Sequence, residues 1–244
     1  MRTIGLLVST LVAGSLLAAC GGEDTIKDGT PFEKGQPGQV SSGNGGSGGD
    51  STGGTGGEVS TPDVPDYLAD YPEGPYGTEL HSVLPNYRFK GWSNPQAAEY
   101  DVEQMETVQL SDFYDPDGSK NIKILLINSS AQWCSPCKQE YSHFKTKGTF
   151  AEYREKGVMF LGSLMENNNY DPPVPANGAA WVKSFEVAFP FVVDTSFKLG
   201  GLFSIDAIPN NTLVNAKTME VIQLLPGGDT AGLLAAIDSQ LKKL

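Results

Sequence analysis

The chain has 244 residues, 39% of them apolar, and its 17 Lys and Arg stand against 29 Asp and Glu for a formal charge of −12. That balance argues against a nucleic-acid partner and against clinging to anionic lipid through charge. After a glycine-rich beginning, about 180 residues of ordinary globular composition remain, enough for one domain.

Residues 1–19 carry a single basic residue, Arg2, and then a run of Ile, Leu, Val and Ala too short for a membrane span. This reads as a signal peptide. It ends Leu17-Ala18-Ala19-Cys20-Gly21, which resembles the bacterial lipobox, where the cysteine is lipidated and becomes the mature N-terminus. A plain small-residue cleavage site beside a chance cysteine is the alternative, and an acylated N-terminus at Cys20 would separate the two. The lipobox reading implies a protein anchored to a membrane and facing the periplasm or the exterior; Gly21 in place of an aspartate favours the outer membrane.

Residues 20–61 are mostly Gly, Ser, Thr and a few acids with hardly an apolar side chain, and Gly43-Asn44-Gly45-Gly46-Ser47-Gly48-Gly49 lies at the centre. Such a composition buries too little surface to offset backbone entropy, so a disordered tether is expected. Its r.m.s. reach would be on the order of 35 Å. Residues 62–83, with Pro65-Asp66-Tyr67 and Tyr71-Pro72-Glu73-Gly74-Pro75-Tyr76, read as an extended lead-in laid against the domain, which occupies residues 84–244.

Residues 84–92 and 105–113 alternate as strands do, and Asp115-Pro116-Asp117-Gly118 marks a turn. Next comes the stretch that organises the rest, Ile-Lys-Ile-Leu-Leu-Ile-Asn-Ser-Ser-Ala-Gln-Trp-Cys-Ser-Pro-Cys-Lys-Gln-Glu over residues 122–140. Its apolar run is too short and too rich in isoleucine for a helix and reads as a buried central strand. Proline is favoured in a helix's first turn, where its missing N–H would lack a partner anyway. Pro136 therefore places Cys134 at the mouth of a helix and Cys137 one turn inside. Unpaired N–H groups and the helix dipole stabilise a thiolate there, which makes Cys134 the more acidic sulfur, expected exposed, with a pKa below the free value of about 8.5.

If Cys20 carries lipid, Cys134 and Cys137 have only each other as intrachain partners. A bridge across so short a loop removes little unfolded-state entropy, so stapling is a poor reason to have it.

Residues 131–138, Ala-Gln-Trp-Cys-Ser-Pro-Cys-Lys, resemble the Trp-Cys-x-x-Cys site of the thioredoxin superfamily and, within it, the membrane-anchored TlpA- and ResA-like thiol-disulfide oxidoreductases. Asn128 stands where these proteins carry asparagine and thioredoxin a buried aspartate. Glu140 matches the glutamate that ResA-like proteins place near the site. The resemblance implies an α/β thioredoxin-like fold: a central mixed sheet flanked by helices, an N-terminal β-hairpin, and an insert between the active-site βαβ unit and a strand preceded by cis-proline.

The rest of the chain can be laid on that plan. A helix to about residue 156, ending at Gly157, leads to a parallel strand over 158–164. A helix over 177–187, Phe189-Pro190, a strand over 191–193, Asp194 and a short helix over 196–203 match the insert. Ile208-Pro209 precedes strands over 212–215 and 219–225, and Pro209 matches the cis-proline that faces the dithiol in this superfamily. Asp229 or Thr230 caps a last helix with Leu233, Leu234, Ile237 and Leu241 on one face.

By the resemblance, Cys134 is the nucleophile, Cys137 the resolving thiol, and Glu140 takes or returns the proton of Cys137. Trp133, Ser135, Pro136, Ile208 and Pro209 form the surface that meets the client. A solvated Glu140 paired with Lys138 or Lys145 is the plainer reading. Ser142 replaces a proline found in many relatives, so no kink is expected there. The redox group is the Cys134–Cys137 pair, with no other cofactor. The implied partners are disulfides or dithiols of exported proteins, such as apocytochromes before haem attachment, and a membrane-embedded thiol donor. The competing class is a Sco-like copper-binding protein, but such proteins use Cys-x-x-x-Cys with a distant histidine. Here the cysteines are one residue closer and the two histidines are His81 and His143, leaving a soft metal two thiolates. A peroxidase would need a Thr-x-x-Cys earlier in the domain, and a non-catalytic scaffold would have no use for both cysteines.

Overall fold

The structure, a computed structural model, describes residues 71–202 and 207–244. The expected signal peptide, Cys20, the glycine-rich tether and residues 62–70 of the lead-in lie outside the described residues. So do residues 203–206. Among the described residues no helix is long and apolar enough to cross a membrane.

In chain order the elements are β1 (Arg88–Trp92), β2 (Glu106–Gln109), β3 (Ile124–Ala131), α1 (Ser135–Lys147), α2 (Thr149–Glu155), β4 (Val158–Glu166), α3 (Pro175–Phe185), β5 (Phe191–Val193), β6 (Asn210–Asn215), β7 (Glu220–Pro226) and α4 (Thr230–Leu241). Short 3-10 turns cover Val102–Gln104, Leu110–Phe113 and Lys198–Leu202. The strands form one mixed sheet in the order β2-β1-β5-β4-β3-β6-β7. β3, β4 and β5 run parallel, whereas β1 is antiparallel to both β2 and β5, and β6 is antiparallel to both β3 and β7.

Every residue of β3 is buried, as a strand with both faces covered must be. Ile124 and Leu126 face a core with Tyr141, Phe144, Phe160, Trp181, Phe191 and Ile237. Leu125 and Ile127 face the other, with Leu84, Phe89, Leu161, Val192 and Val221. Tyr71 of the lead-in belongs to this second core and donates its hydroxyl to the Leu84 carbonyl at 3.0 Å. The Asp115 carboxylate closes the turn before β3, accepting from the backbone N–H groups of Lys120 and Ile122 at 3.1 and 2.8 Å.

Two expectations need correcting. The strands expected over 84–92 and 105–113 are shorter, and residues 110–113 turn in a 3-10 arc that buries Leu110 and Phe113. The single helix expected to run to about residue 156 is two helices. Gly148 takes the left-handed conformation (φ 63°), donating its N–H back to α1 and starting α2 in a new direction. A residue without Cβ adopts that conformation at little cost. The result buries Tyr153 in the same core as Phe160.

Candidate active site

The site lies at the C-terminal end of β3, where the chain turns into α1. Cys134 is the N-cap residue, in extended conformation (φ −74°, ψ 111°), and its sulfur accepts the Cys137 backbone N–H at 3.1 Å. Pro136 occupies the first turn. Cys134 and Cys137 are joined as a disulfide, S–S 2.02 Å and Cα–Cα 5.3 Å. The helix end that presents a free N–H to Cys134 would favour its thiolate once the bridge opens.

Opposite the bridge stands the turn into β6. The Ile208–Pro209 peptide is cis, and the Ile208 carbonyl oxygen lies 3.7 Å from Cys134 Sγ. A disulfide sulfur has no proton to donate, so this contact becomes a hydrogen bond only in the reduced thiol. The turn after β7 closes the third side. A Cβ added at Gly228 would lie 2.8 Å from the Pro136 Cβ and 3.6 Å from the Pro209 Cδ, so only a glycine lets that backbone approach both prolines. The expectation of an exposed Cys134 is therefore corrected: the residue is 2% exposed and Cys137 is fully buried. Ser135 and Pro136 are exposed, Ile208 is half-buried and Pro209 is buried.

Trp133 is 36% exposed beside the bridge. Its indole N–H donates to the Glu166 carboxylate at the end of β4, at 2.7 Å, and its ring leans on Tyr170 with centroids 5.0 Å apart.

Behind the bridge the helix carries Glu140 into the interior. Its carboxyl is fully buried and accepts from Asn128 Nδ2 at 2.6 Å and from Asn211 Nδ2 at 3.2 Å to each oxygen. Loss of water pushes its pKa up to about 7, against the downward pull of the two amides. Lys145, offered above as a surface partner for Glu140, instead pairs with Glu186 at 2.8 Å. Lys138 is exposed. α1 continues unbroken through Ser142. His143 is half-buried on α1 and His81 is exposed. Among the described residues no group of three or more His, Cys, Asp or Glu is placed to hold a metal ion.

The profile of the AhpC/TSA family matches residues 93–222, more than half of the chain and all of the dithiol region. The chain belongs to the AhpC/TSA family. Within this thioredoxin-superfamily group it is similar to thiol-disulfide oxidoreductase ResA of Oceanobacillus iheyensis, 27% identical over 125 residues, which are 50% of this chain and 57% of that protein. ResA of Bacillus subtilis is 22% identical over 112 residues, 46% of this chain and 58% of that protein. The chain thus spans somewhat over half the length of these curated relatives. Its fold is similar to that of a Chlorobium tepidum protein described as a thiol:disulfide interchange protein, DsbE. That structure has a TM-score of 0.50 and 17% identity, covering 67% of this chain and 98% of that one.

Around its dithiol this AhpC/TSA member uses residues that sequence reasoning missed. Asn211 had a signal: it lies two residues after Pro209, on the strand that any such fold pairs with the central one. Glu166 and Tyr170 had none, since their relation to Trp133 depends on how the chain leaves β4. Gly228 is one glycine among 29, distinguished only by what it touches.

Proposed function

We propose that the protein is a thiol-disulfide oxidoreductase acting through Cys134 and Cys137 on disulfides of exported proteins. The observation that carries the reading is the bridge itself, set at a helix N-terminus against the Ile208 carbonyl, with a buried carboxyl one helical turn behind its second sulfur. In the reduced enzyme the Cys134 thiolate attacks one sulfur of the client disulfide, forming a mixed disulfide and expelling a client thiolate, which takes a proton from solvent. Cys137 then passes its proton to ionised Glu140 and attacks Cys134 Sγ. The Cys134–Cys137 bridge forms and the second client thiolate leaves. Two electrons move to the client, and the proton held by Glu140 returns to solvent or to the leaving thiol. A carboxyl with a pKa near 7 is matched to that exchange at neutral pH.

Trp133, Ser135, Pro136 and Ile208 present the surface that receives the client, and the buried Pro209 shapes it from beneath. The disulfide is the redox group, and no further cofactor enters. Cys20 carries the lipid, so the domain works in the cell envelope on the periplasmic or exterior side, the outer membrane being favoured. A membrane-embedded thiol donor restores the dithiol, and apocytochromes awaiting haem are suitable clients.

The test is reduction of insulin by the reduced protein, with Cys134→Ser as control and Cys137→Ser to trap the mixed disulfide. Turnover by the native chain, none by Cys134→Ser, and a trapped adduct with Cys137→Ser are expected. Equal turnover by the native chain and Cys134→Ser would remove the reading.

A further inference from the structure

Around an ionised Glu140 the amide hydrogens have one consistent arrangement. Ser130 Oγ donates to Asn128 Oδ1 at 2.9 Å, and because an ionised carboxylate only accepts, Glu140 takes the nitrogen side of the Asn128 amide. The two N–H hydrogens of that amide then go to Glu140 Oε2 at 2.6 Å and to Asn211 Oδ1 at 2.8 Å. With its oxygen so occupied, Asn211 can present only its NH2 group to Glu140, and it stands 3.2 Å from both carboxyl oxygens. With Glu140 ionised, turning either amide over would set oxygen against oxygen. Asn128 and Asn211 are direct partners across the β3–β6 ladder, and both are about 1–2% exposed. The network therefore spans two strands and one helix, with every member buried.

We propose that Asn211 is a positioning residue for Glu140: its side-chain amide, reaching across from β6, holds the carboxyl as a hydrogen-bond acceptor and governs when it gives up its proton. The inference rests on the oxidoreductase reading for its biological use, though not for its physical content. Beside Glu140 on α1 stand Cys137, one turn before it, which titrates only once the bridge is reduced, and Tyr141, whose phenol is buried, its pKa raised by that burial and then by the Glu140 charge. β3 brings Asn128 and Ser130, and β6 brings Asn211. Among the described residues no cation offsets the charge on Glu140 and no second carboxylate adds to it, so the amides stand alone against desolvation. Hydrogen bonds to a charged acceptor are worth more than those to a neutral one, so each amide favours the carboxylate over the acid. Without Asn211, one of the two amides that oppose desolvation is gone. When Cys137 surrenders its proton on attacking Cys134, the carboxylate that receives it must already be ionised, and Asn211 helps to keep it so.

The experiment is a pH titration of the full oxidised chain carrying 13C-carboxyl glutamate and 15N-asparagine, read by NMR. In the native chain the Asn211 side-chain amide must titrate with the same midpoint as Glu140. In Asn211→Ala and Asn211→Leu the Glu140 midpoint must move upward, by about one pH unit or more. The acid limb of the pH profile for insulin reduction must move in the same direction, which loss of structure alone would not produce. An Asn211 amide that stays flat through the Glu140 titration overturns the proposal, even if both variants fail to fold. So does a Glu140 midpoint that stays put in a folded variant. A native chain that cannot reduce insulin, yet shows the shared titration, overturns the oxidoreductase reading and leaves the positioning role standing.

Discussion

Replacing Glu140 with glutamine changes how stability depends on pH, by an amount that follows from burial. The carboxyl has a pKa of about 7 in the folded chain against an ordinary value of 4.5. Below pH 4.5 it is neutral in both folded and unfolded chains. Between 4.5 and about 7 the unfolded chain releases the proton while the folded one keeps it, so stability falls by up to about 1.4 kcal/mol per pH unit. Above about 7 both forms are ionised and the slope vanishes. The native chain therefore loses about 3 kcal/mol between pH 4 and pH 8 on account of this one group. Glutamine does not titrate. It carries a penalty of its own, because its NH2 would face the NH2 groups of Asn128 and Asn211, but that cost is about 1–3 kcal/mol and independent of pH. Glu106 and Asp117 have lowered pKa values and contribute in the opposite sense, gaining stability as pH rises, so the informative quantity is the difference between the two chains. Urea unfolding of the oxidised proteins at half-unit steps from pH 4 to 8.5 would measure it. The difference should swing toward Glu140→Gln by about 3 kcal/mol, with its steepest change between pH 5 and 7. Two curves separated by a constant offset would show that the buried carboxyl titrates normally and would refute the reasoning.

Other outcomes follow from the packing and the site. Phe160→Ala removes a 1%-exposed ring that meets Phe144, Phe150 and Phe189 at centroid distances of 5.4 to 5.5 Å; a loss of about 3–5 kcal/mol is expected in the same unfolding assay. Gly228→Val must push the turn away from Pro136, 2.8 Å from the new Cβ, and should cost about 1–3 kcal/mol while speeding alkylation of Cys134 in the reduced protein. Trp133→Ala removes a partly exposed ring and its bond to Glu166; insulin reduction should drop several-fold, with stability reduced by only about 1 kcal/mol.

The strand-to-helix turn around the two cysteines could be read from the chain because its signals are local. A run of isoleucine and leucine and a proline in the first turn each act within a few residues. The same holds for the C-terminal helix, where Asp229 caps by accepting the Gly232 N–H at 3.0 Å. The break at Gly148 was harder. The surrounding sequence, Thr146-Lys147-Gly148-Thr149-Phe150, suits continued helix apart from one tolerable glycine, and the decision belongs to the burial of Tyr153 in the core beyond. The burial of Cys134 was misjudged for a similar reason. A helix N-terminus is open to solvent unless distant segments cover it, and here they arrive from residues 208–209 and 228. Glu140 shows the limit most clearly. Helical spacing set it one turn behind Cys137, but its surroundings depend on the lateral pairing of β3 with β6, which no local pattern specifies.

The left-handed joint at Gly148 also insulates the redox end of the molecule from its neighbour. The electrostatic benefit of a helix to a sulfur at its tip comes almost wholly from the first turn, so ending α1 after thirteen residues forfeits little of it. α2 is then free to tilt toward β4 and seat Tyr153 without dragging the cysteines along. Surface changes on α2 can accordingly accumulate with no toll on thiol reactivity, leaving that flank of the domain open to variation while the dithiol keeps its setting.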